Sequence, residues 1–424
     1  MTPSKSIQIL TDAKLLVDYY LSTYWNKYKE NDKTYIKNKT IEKHIGETPK
    51  CSIVKIQNYL VPSCHKILME KFKVERIWAV HDFISATSEP QYSVLEVDGK
   101  VIQYLTTGII DTYFNKIPIV IEVCMENDYS TKYCFYYQKN SSDSIETYIS
   151  TLKEHVMKNN IFKNKNNVFT GTGLEISKFR ETSFDAIYMK EGLKSSIKEN
   201  TLEYIKNLDD MKKNGMKTHR GILLSGSPGN GKTFCARAIA TELSGKATVI
   251  WVTGSSIERP SEVKYLFQMA RGMSPSLIII EDIDGIGQSR ESEGHGTNSL
   301  LSELLSQMDG ANDNYGVFII ATTNYPTMVD SALRDRPQRF DRHYKIDVPT
   351  YDEIVRYMKD KTGISTEEIS RKLVGKSFAY IDEVVDTAKM RVIKYKKKQL
   401  DLKCLNDALN DMDGEKNSSD VMVQ

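Results

Sequence analysis

The sequence predicts an α/β fold: a parallel sheet with flanking helices over residues 183–349, a helical lid over 350–412, and a mixed α+β domain over 1–167. Two observations carry this prediction. Between Ser183 and Pro349, short and continuously apolar strands alternate with helical patterns, as in a parallel sheet covered on both faces. A glycine-rich loop joins the first of those strands to the helix that follows.

In chain order, Ile9 to Trp25 has apolar and aromatic residues at helical spacing and predicts an amphipathic helix. Val94–Val97 and Val101–Tyr104 flank Asp98-Gly99, a pair suited to a tight primed hairpin turn. Ile117–Val123 and Tyr133–Tyr137 read as further strands. A helix then follows, with Asp143 and Glu146 spaced as a capping box and Ile145, Tyr148, Ile149, Leu152 and Val156 on its apolar face. Lys158 to Asn167, rich in asparagine and lysine, reads as a loop or linker. Strands are expected at Ile222–Ser225, Thr248–Val252, Leu277–Ile280 and Val317–Ala321, with helices near Thr233–Leu243, Ser261–Arg271 and Thr297–Met308. Tyr351 to Met412 is helical in pattern, and the polar tail Asp413–Gln424 is expected to be disordered.

Composition narrows the function classes. Fifty-eight basic against fifty-six acidic residues leave a net charge of +2, so no overall field points to nucleic acid. Six cysteines show no CxxC spacing and read as reduced thiols of an intracellular protein. Seven histidines form no HExxH pattern, so no structural metal is expected. Ile9–Trp25 is interrupted by Asp12, Lys14 and Asp18, and Ile109–Val123 by Asp111, Lys116 and Glu122. Neither supplies the ~20 apolar residues a bilayer span needs, and a soluble, cytoplasmic chain is expected.

Gly226-Ser227-Pro228-Gly229-Asn230-Gly231-Lys232-Thr233 fits G-x-x-x-x-G-K-[ST] without a gap. Its glycines let successive backbone N–H groups face phosphate, Lys232 suits the β- and γ-phosphates of ATP, and the Thr233 hydroxyl suits Mg2+. Phe234, next in line, is counted with the nucleotide-binding residues. The strand Leu277–Ile280 ends in Glu281-Asp282-Ile283-Asp284, where a phosphate loop needs a carboxylate for the metal. After Val317–Ala321, Asn324 stands at a strand end, as a loop cap or as a sensor facing the γ-phosphate and the attacking water. Asp330 to Arg342 then holds four arginines, Arg334, Arg336, Arg339 and Arg342, in nine residues.

This succession resembles the AAA-type P-loop ATPases. The resemblance covers about Ser183 to Pro349. The arginine segment is similar to that family's second region of homology, with Gln338 where the family has glycine. It implies arginine fingers at Arg336 and Arg339 that act on the ATP of a neighbouring subunit, hence a homo-oligomeric ring, hexamer or heptamer. The usual acidic pair is Asp then Glu; here the order is reversed. By position, Glu281 takes the metal role, through a coordinated water, and Asp282 activates the attacking water. Ser377-Phe378-Ala379-Tyr380 is similar to the family's turn beside adenine, with Ala379 lining the base. Asp185, Ile187 and Tyr188 stand where the family packs the other side of the base, or are ordinary core.

Within the superfamily, the chain is similar to the assembly ATPases that carry the folded Rieske protein across the mitochondrial inner membrane. The reversed Glu281-Asp282 pair, the approach from Asp185 to Gly226 and the short segment Gly254–Ser261 carry that likeness. Those ATPases have an N-terminal membrane helix, which is not visible here. The resemblance implies ATP-driven, chaperone-like remodelling or translocation of a protein partner. Two alternatives stand beside it: a nucleic-acid motor or loader, against which the balanced charge argues, and an assembly switch that binds ATP and hydrolyses it slowly. The basic run Arg391, Lys394, Lys396, Lys397 and Lys398 reads as a solvated helix face.

Overall fold

The computed structural model describes residues 30–79, 89–178, 180–288, 297–309, 314–327 and 340–421. The helix expected at Ile9–Trp25 lies outside them. The chain divides into two compact units, Met1–Ile161 and Phe162–Gln424.

The first unit is a six-stranded sheet of β1 (Lys50–Gln57), β2 (Lys73–Trp78), β3 (Gln91–Val97), β4 (Lys100–Phe114), β5 (Ile117–Asn127) and β6 (Ser130–Tyr137), ordered β1-β6-β5-β4-β2 with β3 also paired to β4. The β3–β4 hairpin turns at Asp98 and Gly99, φ 52° and 77°, the two left-handed positions its sequence calls for. Helix α1 (Glu30–Ile45) lays Ile41 and Ile45 on Ile109 and Val120. Its Lys37 meets Glu122 at 2.9 Å. Helices α2 (Val61–Lys71) and α3 (Ser142–Lys158) complete the unit. The capping box expected at Asp143 and Glu146 does not form: α3 starts at Ser142, and no side chain caps it. Glu146 is drawn instead to two partners on the sheet, Lys50 and the Tyr137 hydroxyl.

The second unit holds a seven-stranded sheet. Its strands are β7 (Asn166–Phe169), β8 (Leu174–Ile176), β9 (Arg220–Ser225), β10 (Thr248–Thr253), β11 (Ser276–Glu281), β12 (Val317–Thr323) and β13 (Arg342–Lys345). The order is β13-β9-β12-β11-β10-β7-β8, and every pairing is parallel except β7 with β8. Parallel strands buried on both faces need apolar side chains throughout, which is why Leu277 to Ile280 shows no alternation. The expected linker ends in a strand: Asn166 and Asn167 belong to β7, so the second unit begins at Phe162. Asn167 is fully buried and donates to the carbonyls of Phe162, Lys165 and Val249 at 3.0, 2.9 and 3.2 Å. A polar residue is thus held inside the sheet, between β10 and β8, because its amide nitrogen has carbonyl partners there.

Around this sheet lie α4 (Glu191–Lys198), α5 (Lys232–Glu242), α6 (Pro260–Gly272) and α7 (Thr297–Met308). One face of the sheet packs on α5 through Cys235, Ala236 and Ile239 against Ile222, Trp251, Leu277 and Ile279. The helices α8 (Tyr351–Thr362), α9 (Glu367–Lys372), α10 (Phe378–Lys394) and α11 (Leu402–Val421) share a second core, with Ile354, Met358, Ile381, Val385 and Leu405 fully buried. The final helix runs through Val421, so most of the tail expected to be disordered is helical backbone. Among the described residues, no helix is long and apolar enough to cross a membrane.

Candidate active site

The phosphate loop occupies the turn between β9 and α5. Gly226 sits at φ 146°, and a Cβ there would lie 2.1 Å from the Ile346 carbonyl oxygen, so no other residue fits the approach. Gly229, at φ 77°, donates no side chain to a contact already filled: a Cβ would meet that of Ala379 at 2.8 Å and the Ser377 hydroxyl at 3.1 Å. The backbone completes this contact, the Ala379 N–H donating to the Gly229 carbonyl at 3.0 Å. Gly231 is the N-cap of α5 and offers no side chain to the first-turn N–H groups. Asn230 is buried, and both its amide nitrogen and its oxygen lack a protein partner.

These features fit a bound polyphosphate. An uncapped helix start preceded by glycines at positive φ is the backbone arrangement that presents N–H groups to phosphate. A buried lysine supplies the countercharge, and the orphaned Asn230 amide calls for an added polar group. The Lys232 Nζ donates to the carbonyls of Gly226 and Ser227 at 2.7 and 3.1 Å and to Asn324 Oδ1 at 2.6 Å. Burial lowers its ammonium pKa, while Asp282 and Asp284 oppose that shift. For Mg2+ the donor set is also apt: the Thr233 hydroxyl and the Glu281 carboxylate are hard oxygen ligands. Among the described residues, no group of three His, Cys, Asp or Glu could hold a metal ion.

The acidic cluster lies at the end of β11. Glu281 Oε2 accepts a hydrogen bond from the Trp251 indole nitrogen at 2.9 Å. Asp282 adopts φ 48°, a left-handed conformation for a non-glycine residue; its N–H donates to Thr322 Oγ1 at 3.0 Å, and its Oδ1 accepts from Asn324 Nδ2 at 3.3 Å. Burial raises the Asp282 carboxyl above the ordinary aspartate range, Asp284 and Glu281 adding to the effect and Lys232 opposing it. Asp284 accepts from the Thr323 hydroxyl at 2.7 Å. Lys232, Asn324 and Asp282 therefore form one hydrogen-bonded line from the phosphate loop to the acidic strand.

Other expected site residues are distributed around this centre. Phe234 is exposed on the first turn of α5. Asp185 is exposed, Ile187 is buried in the core against α5, and Tyr188 packs edge-on to Tyr357 at 5.0 Å while its hydroxyl donates to Asp360 at 2.6 Å. Tyr188 thus ties the sheet region to the lid. Arg334, Arg336 and Arg339 lie outside the described residues. The segment's end is anchored: Asp341 accepts from Lys217 Nζ at 2.7 Å and from the Gly221 N–H at 3.2 Å. Sequence reasoning assigned no part to Trp251, Asp284, Thr322 or Thr323. The threonines and Asp284 stood beside assigned residues, and that adjacency was the available signal.

Comparison with known proteins agrees with this geometry. Residues 222–348 match the family described as "ATPase family associated with various cellular activities (AAA)". The chain is 35% identical over 225 residues to "ATP-dependent zinc metalloprotease FtsH 2" of Salinibacter ruber, covering 49% of this chain and 32% of that protein. It is 37% identical over 207 residues to "ATP-dependent zinc metalloprotease FTSH 9, chloroplastic/mitochondrial" of Oryza sativa subsp. japonica, covering 46% and 26%. With "ATP-dependent zinc metalloprotease FTSH 11, chloroplastic/mitochondrial" of Arabidopsis thaliana it shares 36% over 207 residues, covering 46% and 25%. The chain spans about a third or less of the length of these curated relatives. Residues 222–348, which carry the phosphate loop and the acidic strand, are an AAA ATPase domain, which hydrolyses ATP with Mg2+ as cofactor.

Proposed function

We propose that the protein is a ring-forming ATPase that uses hydrolysis to remodel or translocate a protein partner by opening and closing a cavity, not by threading an extended chain. One observation supports this most: the link between β10 and α6 offers no apolar grip. Of Gly254–Pro260, the large aliphatic side chain, Ile257, is wholly buried, while Ser255, Glu258 and Arg259 are exposed. Arg259 is bound to Glu262 at 2.9 Å, and the Glu262 carboxylate also accepts the Glu258 and Arg259 N–H groups. A short, polar, internally bonded link fits a machine that moves whole surfaces. The same shortness and the reversed acidic pair support the likeness to the Rieske-protein assembly ATPases. Zinc metalloprotease activity is named for the curated relatives, and this reading concerns the ATPase domain alone.

In this reading Lys232 and the loop N–H groups would hold the phosphates, and Thr233, with Glu281 acting through a coordinated water, would hold Mg2+. The bound metal supplies charge neutralisation at the phosphate oxygens. Asp282 accepts a hydrogen bond from the attacking water and Asn324 orients it. Arg336 and Arg339 reach the neighbouring protomer's nucleotide. Ile187, Tyr188, Asp185 and Ala379 flank the base, and residues 1–161 engage the partner. Electron microscopy of the purified protein with a slowly hydrolysed ATP analogue tests the proposal. A closed ring around a cavity wide enough for a folded domain is expected. A nucleotide-loaded monomer, or a ring whose narrow axis clasps an extended chain, contradicts it.

A further inference from the structure

We propose that Trp251 is a positioning residue for the metal-side carboxylate, its indole N–H holding Glu281 in one orientation. The inference rests on the reading of Glu281 as that carboxylate. In the β10–β11 register Trp251 faces Ile279 and Thr253 faces Glu281, so Trp251 and Glu281 are diagonal neighbours on one sheet face. That is the face packed on α5, the helix that begins at Lys232 and carries Thr233 in its first turn. Trp251 is 6% exposed, and a buried indole N–H must find an acceptor. Glu281 Oε2 provides it at 2.9 Å, as a charge-assisted bond that leaves Oε1 for another partner.

The reversed acidic pair makes this bond consequential. Glutamate in the metal position is one methylene longer than aspartate and has one more rotatable bond, so its carboxylate must be fixed from outside to present an oxygen reproducibly. A large side chain one register step back on the neighbouring strand reaches that carboxylate; a smaller apolar residue there would fill core and donate nothing. Loss of a hydrogen-bond partner of a metal-binding carboxylate typically costs about 10–100-fold in metal affinity or activity.

Binding of a fluorescent, slowly hydrolysed ATP analogue to the full chain, titrated with Mg2+ and repeated in EDTA, separates this role from core packing. In Trp251→Phe, the Mg2+ concentration at half-maximal effect is expected to rise about tenfold, with affinity in EDTA unchanged within about twofold. An unchanged Mg2+ midpoint, whatever the loss of thermal stability, overturns the role of Trp251 alone. A wild-type protein that binds the analogue equally with and without Mg2+ overturns the metal reading of Glu281, and the role of Trp251 with it. Should Trp251→Phe fail to fold, wild type labelled with 5-fluorotryptophan decides the matter by fluorine NMR, with Trp25 and Trp78 assigned by replacement with Phe. The Trp251 resonance is expected to move when Mg2+ joins the analogue complex; a stationary resonance overturns the proposal.

Discussion

Lys232 and Asn324 are joined directly, Nζ to Oδ1 at 2.6 Å. Asn324 also donates to Asp282 at 3.3 Å, so a single side chain couples the phosphate-loop cation to the carboxylate assigned to the attacking water. In the proposed function, a side chain that touches both reports the state of the phosphate to the carboxylate proposed to activate water.

Asn324→Ala removes that coupling. Turnover is expected to fall about 10²-fold, as for loss of one well-placed polar group in an active site. Nucleotide affinity should change by less than about fivefold, because the loop N–H groups and Lys232 remain. Asn324→Asp should behave differently: a carboxylate beside Lys232 holds the ammonium, so affinity and turnover fall together. Steady-state hydrolysis with equilibrium nucleotide binding on both variants checks the pair.

Gly229→Ala puts a methyl into the contact between phosphate loop and lid. The new Cβ would lie 2.8 Å from that of Ala379, at a φ of 77° that side chains rarely adopt. Strain of this type costs about 1–3 kcal/mol. The expected result is a lower melting temperature together with weaker ATP binding. Ala379→Gly in the same chain should restore part of the binding by relieving the contact, and calorimetry with a binding titration measures both.

Ile257→Ala tests the link between β10 and α6. The side chain is wholly buried, so its truncation should destabilise the domain by about 2–5 kcal/mol. Basal turnover per folded protein should stay near wild type. Loss of partner processing at full stability would mean that Ile257 grips a substrate and would contradict the cavity mechanism.

Cys51 gives a pH-dependent signature in the first unit. It is exposed, and hydrogen bonding to Cys134 brings its thiol down to about 7, with Tyr136 assisting. Alkylation needs the thiolate, so its rate should rise with pH through a midpoint near 7. Cys64 and Cys235, buried and pushed up to about 12, should stay unmodified until the protein unfolds. Cys134→Ala should move the Cys51 midpoint upward; mass spectrometry after timed alkylation reads each site.

Sequence patterns carried the central sheet well because parallel strands covered on both faces must be apolar throughout. β9 to β12 are of that kind through their middles, with polar residues only at their ends. They carried β7 poorly, because the Asn167 amide nitrogen donates to three carbonyls, a relation visible only once the strands are side by side. The capping box at Asp143 failed for a similar reason: Glu146 has better partners in Lys50 and Tyr137, distant in sequence. Within the site, the phosphate loop and acidic strand were legible from local spacing. The Trp251–Glu281 bond was not, since a continuously apolar strand does not tell which of its residues shares a face with the carboxylate.

The proposal that two protomers share each nucleotide site is tested most directly by mixing two proteins expected to be inactive, Lys232→Ala and a double variant with Arg336→Ala and Arg339→Ala. In mixed rings, some interfaces join an intact phosphate loop from one protomer to intact arginines from the next. Turnover should then recover well above the sum of the separate variants, towards about a quarter of wild type for random mixing. Mixed rings, verified by co-purification of two tags, that stay as inactive as their parents would contradict hydrolysis completed in trans.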